Sequence, residues 1–270
     1  MTSASFGFSQ VERSHGLSLA YELFALREHT NPERRPVASG NLGAVTLAYS
    51  FSDARRFVRS VSSEEGQRFG VTLRLSDPAV GSDFSYWQLS AAISRYLRLP
   101  WALDGRNLHH ALALRVSAGR SSGDLSRRHL FFLGGFQQGD LVRSVISPTT
   151  APQRVLRGFS RDAFDGDTYF LGSLEYRFPL LSIETGVWTL PLYLRRLHAA
   201  VYSDVGDAWT VGARDFQLHA GAGAELRVEV VLGYILPTDL RLGCARGLEA
   251  SRGDGTGAIL DCYAALGGEF

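Results

Sequence analysis

Phe216-Gln217-Leu218-His219-Ala220-Gly221-Ala222-Gly223-Ala224-Glu225-Leu226-Arg227-Val228-Glu229-Val230 alternates without a break. Phe, Leu, Ala and Val hold the even positions, whereas Gln, His, Gly, Glu and Arg hold the odd ones. A period of two places successive side chains on opposite faces of a strand. Strands in soluble sheets commonly run about five or six residues, but a tilted strand crossing a bilayer needs about nine to eleven. The two faces also differ in kind. The apolar one carries small Ala side chains and lacks the interlocking large residues of a close-packed core. Lipid accepts such a face, and a polar lumen accepts the mixture of glycine and charge opposite it.

The same period recurs along the chain. Val45, Leu47, Tyr49 and Phe51 show it, as do Phe69, Val71, Leu73 and Leu75, and then Leu108, His110, Leu112, Leu114 and Val116. No segment has a helical period with caps. The chain therefore reads as all-β: one antiparallel transmembrane β-barrel domain over 1–270, with about twelve strands. They are expected near 3–10, 16–27, 41–52, 67–76, 84–98, 107–118, 129–136, 168–179, 192–204, 216–230, 238–248 and 258–270. Segments 53–66, 137–167 and 205–215 read as long external loops. Those at 77–83, 119–128 and 231–237 read as shorter turns on the other side, while 28–40 and 180–191 are too long for tight turns. Trp87, Trp101, Trp188 and Trp209 fall near strand ends, where an aromatic girdle sits.

Composition removes several classes of function. The 270 residues carry a net charge of +1, and every basic side chain is Arg. A nucleic-acid partner demands a concentrated basic excess, which is missing. No apolar run approaches the roughly 18–20 residues of a spanning helix. Two cysteines without zinc spacing predict no metal site, and no cofactor motif appears. By parity His109, His198 and His219 face the lumen, but none has a nucleophile and an orienting acid at readable spacing, so no enzyme is expected. Met1-Thr2-Ser3-Ala4-Ser5-Phe6-Gly7 has neither the basic nor the apolar region of a signal peptide.

Three motifs follow one another in the second half. Leu156-Arg157-Gly158-Phe159 lies in the longest irregular stretch, Glu175 lies in the next strand, and Tyr202-Ser203-Asp204-Val205-Gly206 in the one after that. The chain ends in Phe270. This series over 129–270 resembles the bacterial surface antigen superfamily, the outer-membrane insertases and translocases of the BamA and TamA type. The resemblance implies a lid loop at about 137–167 carrying the Arg-Gly motif, lumenal partners at Glu175, Tyr202 and Asp204, and a closing strand with Leu266, Gly268 and Phe270. It also implies outer-membrane lipid and unfolded outer-membrane or secreted client proteins as partners. The family's barrel has more strands before the lid loop and carries periplasmic modules, so this chain is expected to be the C-terminal part of a longer protein or a reduced barrel. A passive pore or membrane anchor is the alternative reading.

Alternation supports the site without the resemblance. Arg196, His198, Ala200, Tyr202 and Asp204 share one face, and Ser173, Glu175 and Arg177 share another. If the lid folds inward, the planar fork of Arg157 matches carboxylates there, and Gly158 permits a tight bend. Cys244 and Cys262 flank the turn Arg252-Gly253-Asp254-Gly255 in a register that also pairs Leu242 with Ala264 and Leu240 with Leu266. That register fits either a disulfide or two lipid-facing thiols.

Overall fold

The computed structural model describes residues 2–9, 12–26, 39–57, 60, 62–100, 102–103, 106–107, 109–123, 130–135, 154–186, 189–233, 235–248 and 259–266. The strands are β1 (Thr2–Ser9), β2 (Ser14–Leu26), β3 (Gly40–Ser52), β4 (Gly66–Ser76), β5 (Tyr86–Leu99), β6 (Ala102–Leu103), β7 (Arg106–Asn107) and β8 (His110–Gly123). They continue with β9 (Phe131–Leu133), β10 (Phe164–Gly166), β11 (Thr168–Gly186), β12 (Leu192–Trp209), β13 (His219–Leu232), β14 (Leu236–Gly247) and β15 (Leu260–Leu266). Eleven form one antiparallel sheet in the order β1-β2-β3-β4-β5-β8-β11-β12-β13-β14-β15. Short hairpins β6-β7 and β9-β10 stand apart from it.

The sheet is apolar outside and charged inside. Leu19, Leu47, Leu89, Leu114, Leu174 and Val201 lie between 42% and 52% exposed, while Glu175, Arg177, His198, Asp204, Glu225 and Arg227 are 4% or less. Water would reverse that distribution, because exposed apolar area is unfavourable there and uncompensated buried charge more so. A bilayer around the wall and a polar lumen within make it favourable. The sheet also curls. Arg56, just after β3, pairs with Glu229 of β13, six strands away along the sheet order. In a flat sheet that separation would be about 29 Å. Strands β1 and β15 are the two edges, and no ladder joins them among the described residues.

The expected strand at 129–136 is not part of the wall. Phe131–Leu133 instead pairs with Phe164–Gly166 and is buried in a cluster with Leu156, Phe159, Tyr169 and Leu171. Its side chains are too apolar to be left in the lumen, so they fold onto the lid. The wall thus passes directly from β8 to β11, so the connections before β8 change ends relative to the lid, while 205–215 stays at the lid's end and 231–237 opposite it. Segment 53–66 consequently lies at the end opposite 137–167, and 77–83 lies at the lid's end, reversing the expected grouping. The expected turn 119–128 begins inside the wall, where Arg120 pairs with Thr168. The segment 180–191 is mostly strand, since the ladder survives Pro179 through register shifts at Pro179/Leu181 and Ser182/Thr185. Such bulges absorb a residue that cannot donate a backbone hydrogen bond.

The C-terminal register agrees with its reading from the sequence: Leu240 pairs with Leu266, Leu242 with Ala264 and Cys244 with Cys262. The two cysteines form a disulfide. Leu266 closes the described part of β15, and Gly268 and Phe270 lie outside the described residues. So do Trp101 and Trp188, whereas Trp87 is on the outer face of β5.

A lipid-facing wall tolerates apolar shape changes but not charge. Leu114→Arg should destabilise the barrel by about 2–4 kcal/mol, while Leu114→Phe should cost well under half of that. Equilibrium unfolding in lipid vesicles measures both, and equal effects would contradict the assignment of the outer face.

Candidate functional site

The β11–β12 ladder sets Ser173 opposite Asp204 and Glu175 opposite Tyr202. Because Tyr202 and Asp204 are two residues apart, their side chains stand side by side on the inner face. This spacing makes a seat for one guanidinium, with an aromatic floor and a carboxylate rim. Arg157 of the lid occupies it. Its Nε donates to Asp204 Oδ2 at 2.5 Å and its Nη2 to Asp204 Oδ1 at 2.7 Å. Its Nη1 donates to Glu175 Oε1 at 3.0 Å, and Nη2 also donates to Ser173 Oγ at 3.0 Å. The guanidinium carbon lies 3.4 Å from the centre of the Tyr202 ring. Stacking and in-plane bidentate bonding use different parts of the same planar group, which Lys could not reproduce.

The charges are buried together: the Arg157, Glu175 and Asp204 side chains are 4%, 5% and 1% exposed. Burial alone would lower the Arg157 pKa. Hydrogen bonding to Asp204, with the charges of Asp204 and Glu175, outweighs burial and raises it well above its ordinary value. The lid arginine is therefore a permanent cation. Removal of Arg157 takes from the buried Asp204 carboxylate the cation it is bonded to.

Backbone shape brings the lid this close. Gly158 has φ of 93°, in the left-handed region, and a Cβ there would lie 2.5 Å from backbone atoms of Arg246 and Gly247. A Cβ at Gly221 would run into the Arg157 carbonyl oxygen. Leu156 and Phe159, on either side of the Arg-Gly pair, are buried with Phe131, Leu133 and Phe164. Phe164 stacks on His219 with ring centres 4.1 Å apart. The motif thus alternates an apolar anchor, a cation, a bend and a second anchor. Of the lid, residues 154–167 are described.

The network continues past the lid to the sheet edge. Arg177 donates to Glu175 Oε2 through Nε at 2.9 Å and Nη2 at 2.7 Å, and Arg227 Nη2 joins it at 3.1 Å. Arg227 also bonds Glu225. Glu225 accepts from Tyr263 of β15 at 2.6 Å, and the Tyr263 hydroxyl lies 3.1 Å from that of Tyr202. Arg157, Glu175, Arg227, Glu225, Tyr263 and Tyr202 therefore form a closed ring of contacts. The lid also touches the edge directly, where the Ile259 amide donates to the Gly158 carbonyl at 3.0 Å.

Residues 41–235 match the family model described as the Omp85 superfamily domain. The chain belongs to the Omp85 superfamily. Among solved structures it is similar to BamA from Haemophilus ducreyi lacking POTRA domains 1–3, with a TM-score of 0.60 and 17% identity over 98% of this chain and 53% of that one. The chain thus spans about half the length of that relative. No curated protein matches it in sequence. The Omp85 domain fixes the setting: the protein is an integral β-barrel of the bacterial outer membrane. Its matched span holds the lid and the strands that receive Arg157, while Tyr263 lies beyond it.

The structure gathers Leu156, Arg157, Gly158, Phe159, Glu175, Tyr202 and Asp204 into this one site. The Cys244–Cys262 disulfide is separate, on the exposed outer face. Sequence reasoning missed Tyr263 and the role of Gly221. Parity had placed Gly221 on the polar face, yet only the position of the lid shows why a side chain is forbidden there.

Arg157→Ala should loosen the lid and destabilise the barrel by about 3–5 kcal/mol. Arg157→Lys should recover only part of this. Arg161→Ala, which removes a side chain 51% exposed and paired with Asp162, should change neither quantity. Limited proteolysis of the lid and heat-modified gel mobility report the two effects. Equal behaviour of Arg157→Ala and Arg161→Ala would contradict the clamp.

Proposed function

We propose that this barrel acts in outer-membrane protein assembly or secretion, as an insertase or translocase whose working surface is the edge of its sheet. The observation that carries this reading is the ring of contacts joining the lid to β15. A strand edge exposes a row of unpaired donors and acceptors, which an incoming extended segment can complete. In this barrel the edge strand contributes Tyr263 to the network that holds Arg157. Clamping the lid and ordering the edge are therefore one event. The reading requires no bond-making chemistry.

The clients in this reading are unfolded outer-membrane or secreted polypeptides, and the lid lies on the external side. A passive pore or a membrane anchor would need neither an ordered edge nor a lid joined to it. The charged ring crossing the lumen also opposes free flow.

Full-length protein in lipid vesicles should speed the folding of a urea-denatured β-barrel client several-fold over protein-free vesicles. Arg157→Ala should lose most of that gain while still assembling in the membrane. No acceleration by the wild-type protein, together with steady ion conductance, would contradict the assembly reading and favour a pore.

A further inference from the structure

A second polar cluster lies at the end of the barrel opposite the lid, and the clamp does not use it. The connection between β3 and β4 leaves the wall as a short continuation of that hairpin, in which the Arg55 amide donates to the Glu65 carbonyl at 2.8 Å and the Glu64 amide donates to the Arg55 carbonyl at 3.0 Å. Gly66, with φ of 94°, bends it where it rejoins β4. Beyond that bend the tip turns inward. Ser60, Ser62, Ser63 and Glu64 are all 2% exposed or less, although connections at the end of a sheet are ordinarily solvated.

The tip is tied to both sides of the lumen. On the near side, the Glu64 carboxylate meets His109 Nδ1 at 2.9 Å and Arg98 Nε at 3.6 Å. On the far side, Arg196 Nη1 of β12 donates to the Ser60 carbonyl at 2.8 Å, and Arg56 pairs with Glu229 of β13. Glu229 is 4% exposed and Arg196 9%. Contacts on opposite walls with a buried middle describe a strap across a mouth.

The geometry points to a plug: the described residues 56, 57, 60 and 62–64 shut the end of the lumen opposite the lid, latched to β12 and β13 by Arg56–Glu229 and Ser60–Arg196. The barrel is then closed at both ends, by the lid through Asp204 and by the plug through Glu229. Both closures hang on the same two strands. Arg196, His198, Ala200, Tyr202 and Asp204 form one inward row on β12, while Glu225, Arg227 and Glu229 form another on β13. A shift of that wall acts on both closures together. Nothing passes along the lumen until the latch opens, and the edge is left as the route for traffic. The inference rests on the barrel fold and not on the proposed assembly activity.

His198 supplies the reporter position, since it is 1% exposed and stands between the plug and lid anchors on β12. The chain's two cysteines are already joined, so H198C gives a single free thiol in the full-length, membrane-assembled protein. A membrane-impermeant maleimide supplied only from the plug's side should label it slowly. Arg56→Glu sets like charges against each other at the latch and should raise the labelling rate at least about tenfold, by populating an open mouth. The swap Arg56→Glu/Glu229→Arg should restore slow labelling. Arg157→Ala should not raise labelling from this side, because the plug remains. If Arg56→Glu fails to assemble, Arg56→Ala, which truncates a side chain 43% exposed, should give a smaller increase in the same direction. Unchanged labelling in the latch variants, or fast labelling of wild type, would overturn the plug.

Discussion

One guanidinium held in a closed seat organises this protein. Arg157 comes from a loop, yet four side-chain hydrogen bonds and a stacked ring fix it against two wall strands. A loop arginine in water would gain little from such pairs, because solvent screens them and mobile side chains lose entropy. Inside the barrel the balance changes. The carboxylates are already desolvated by the surrounding wall, so each needs a cation, and the lid brings one. The lid therefore completes the interior more than it covers it.

This constraint explains features that are far apart in sequence. Ser173, Glu175 and Arg177 recur at every second position of β11 because that spacing aims all three into the lumen, where Ser173 and Glu175 meet Arg157 and Arg177 braces Glu175. Tyr202 and Asp204 do the same on β12. Gly221 of β13 leaves room for the lid backbone, and Tyr263 carries the network onto the last strand. The outer face follows a different rule, since lipid asks only that side chains be apolar. It accordingly shows Leu, Val and Ala without close interlocking. The Cys244–Cys262 disulfide on that face joins β14 to the edge strand, so the final hairpin is one covalent unit.

The sequence made the wall legible because a period of two survives without any tertiary information. It also revealed which side chains face inward, and from that the acids awaiting Arg157. Its failures have one main source. Phe131–Leu133 has the composition of a strand and is one, but pattern cannot distinguish a strand in the wall from one folded against the lid. That single misplacement put segment 53–66 at the wrong end and concealed its place across the lumen. Its buried Ser60, Ser62, Ser63 and Glu64 look like an ordinary polar loop, and only contacts from distant strands show otherwise. Tyr263 was hidden for a similar reason. An inward aromatic on the last strand is unremarkable until Glu225 and Tyr202 are found beside it.

The most direct test is a double-mutant cycle between Arg157 and Asp204, read by reversible unfolding of the barrel in lipid vesicles. Arg157→Ala and Asp204→Ala are measured singly and together. If the two side chains form one buried clamp, the second substitution should add little after the first, with a coupling energy of about 1–3 kcal/mol. Effects that add to within about 0.5 kcal/mol would mean that the lid arginine and the wall acid act independently, and the clamp would no longer account for the structure.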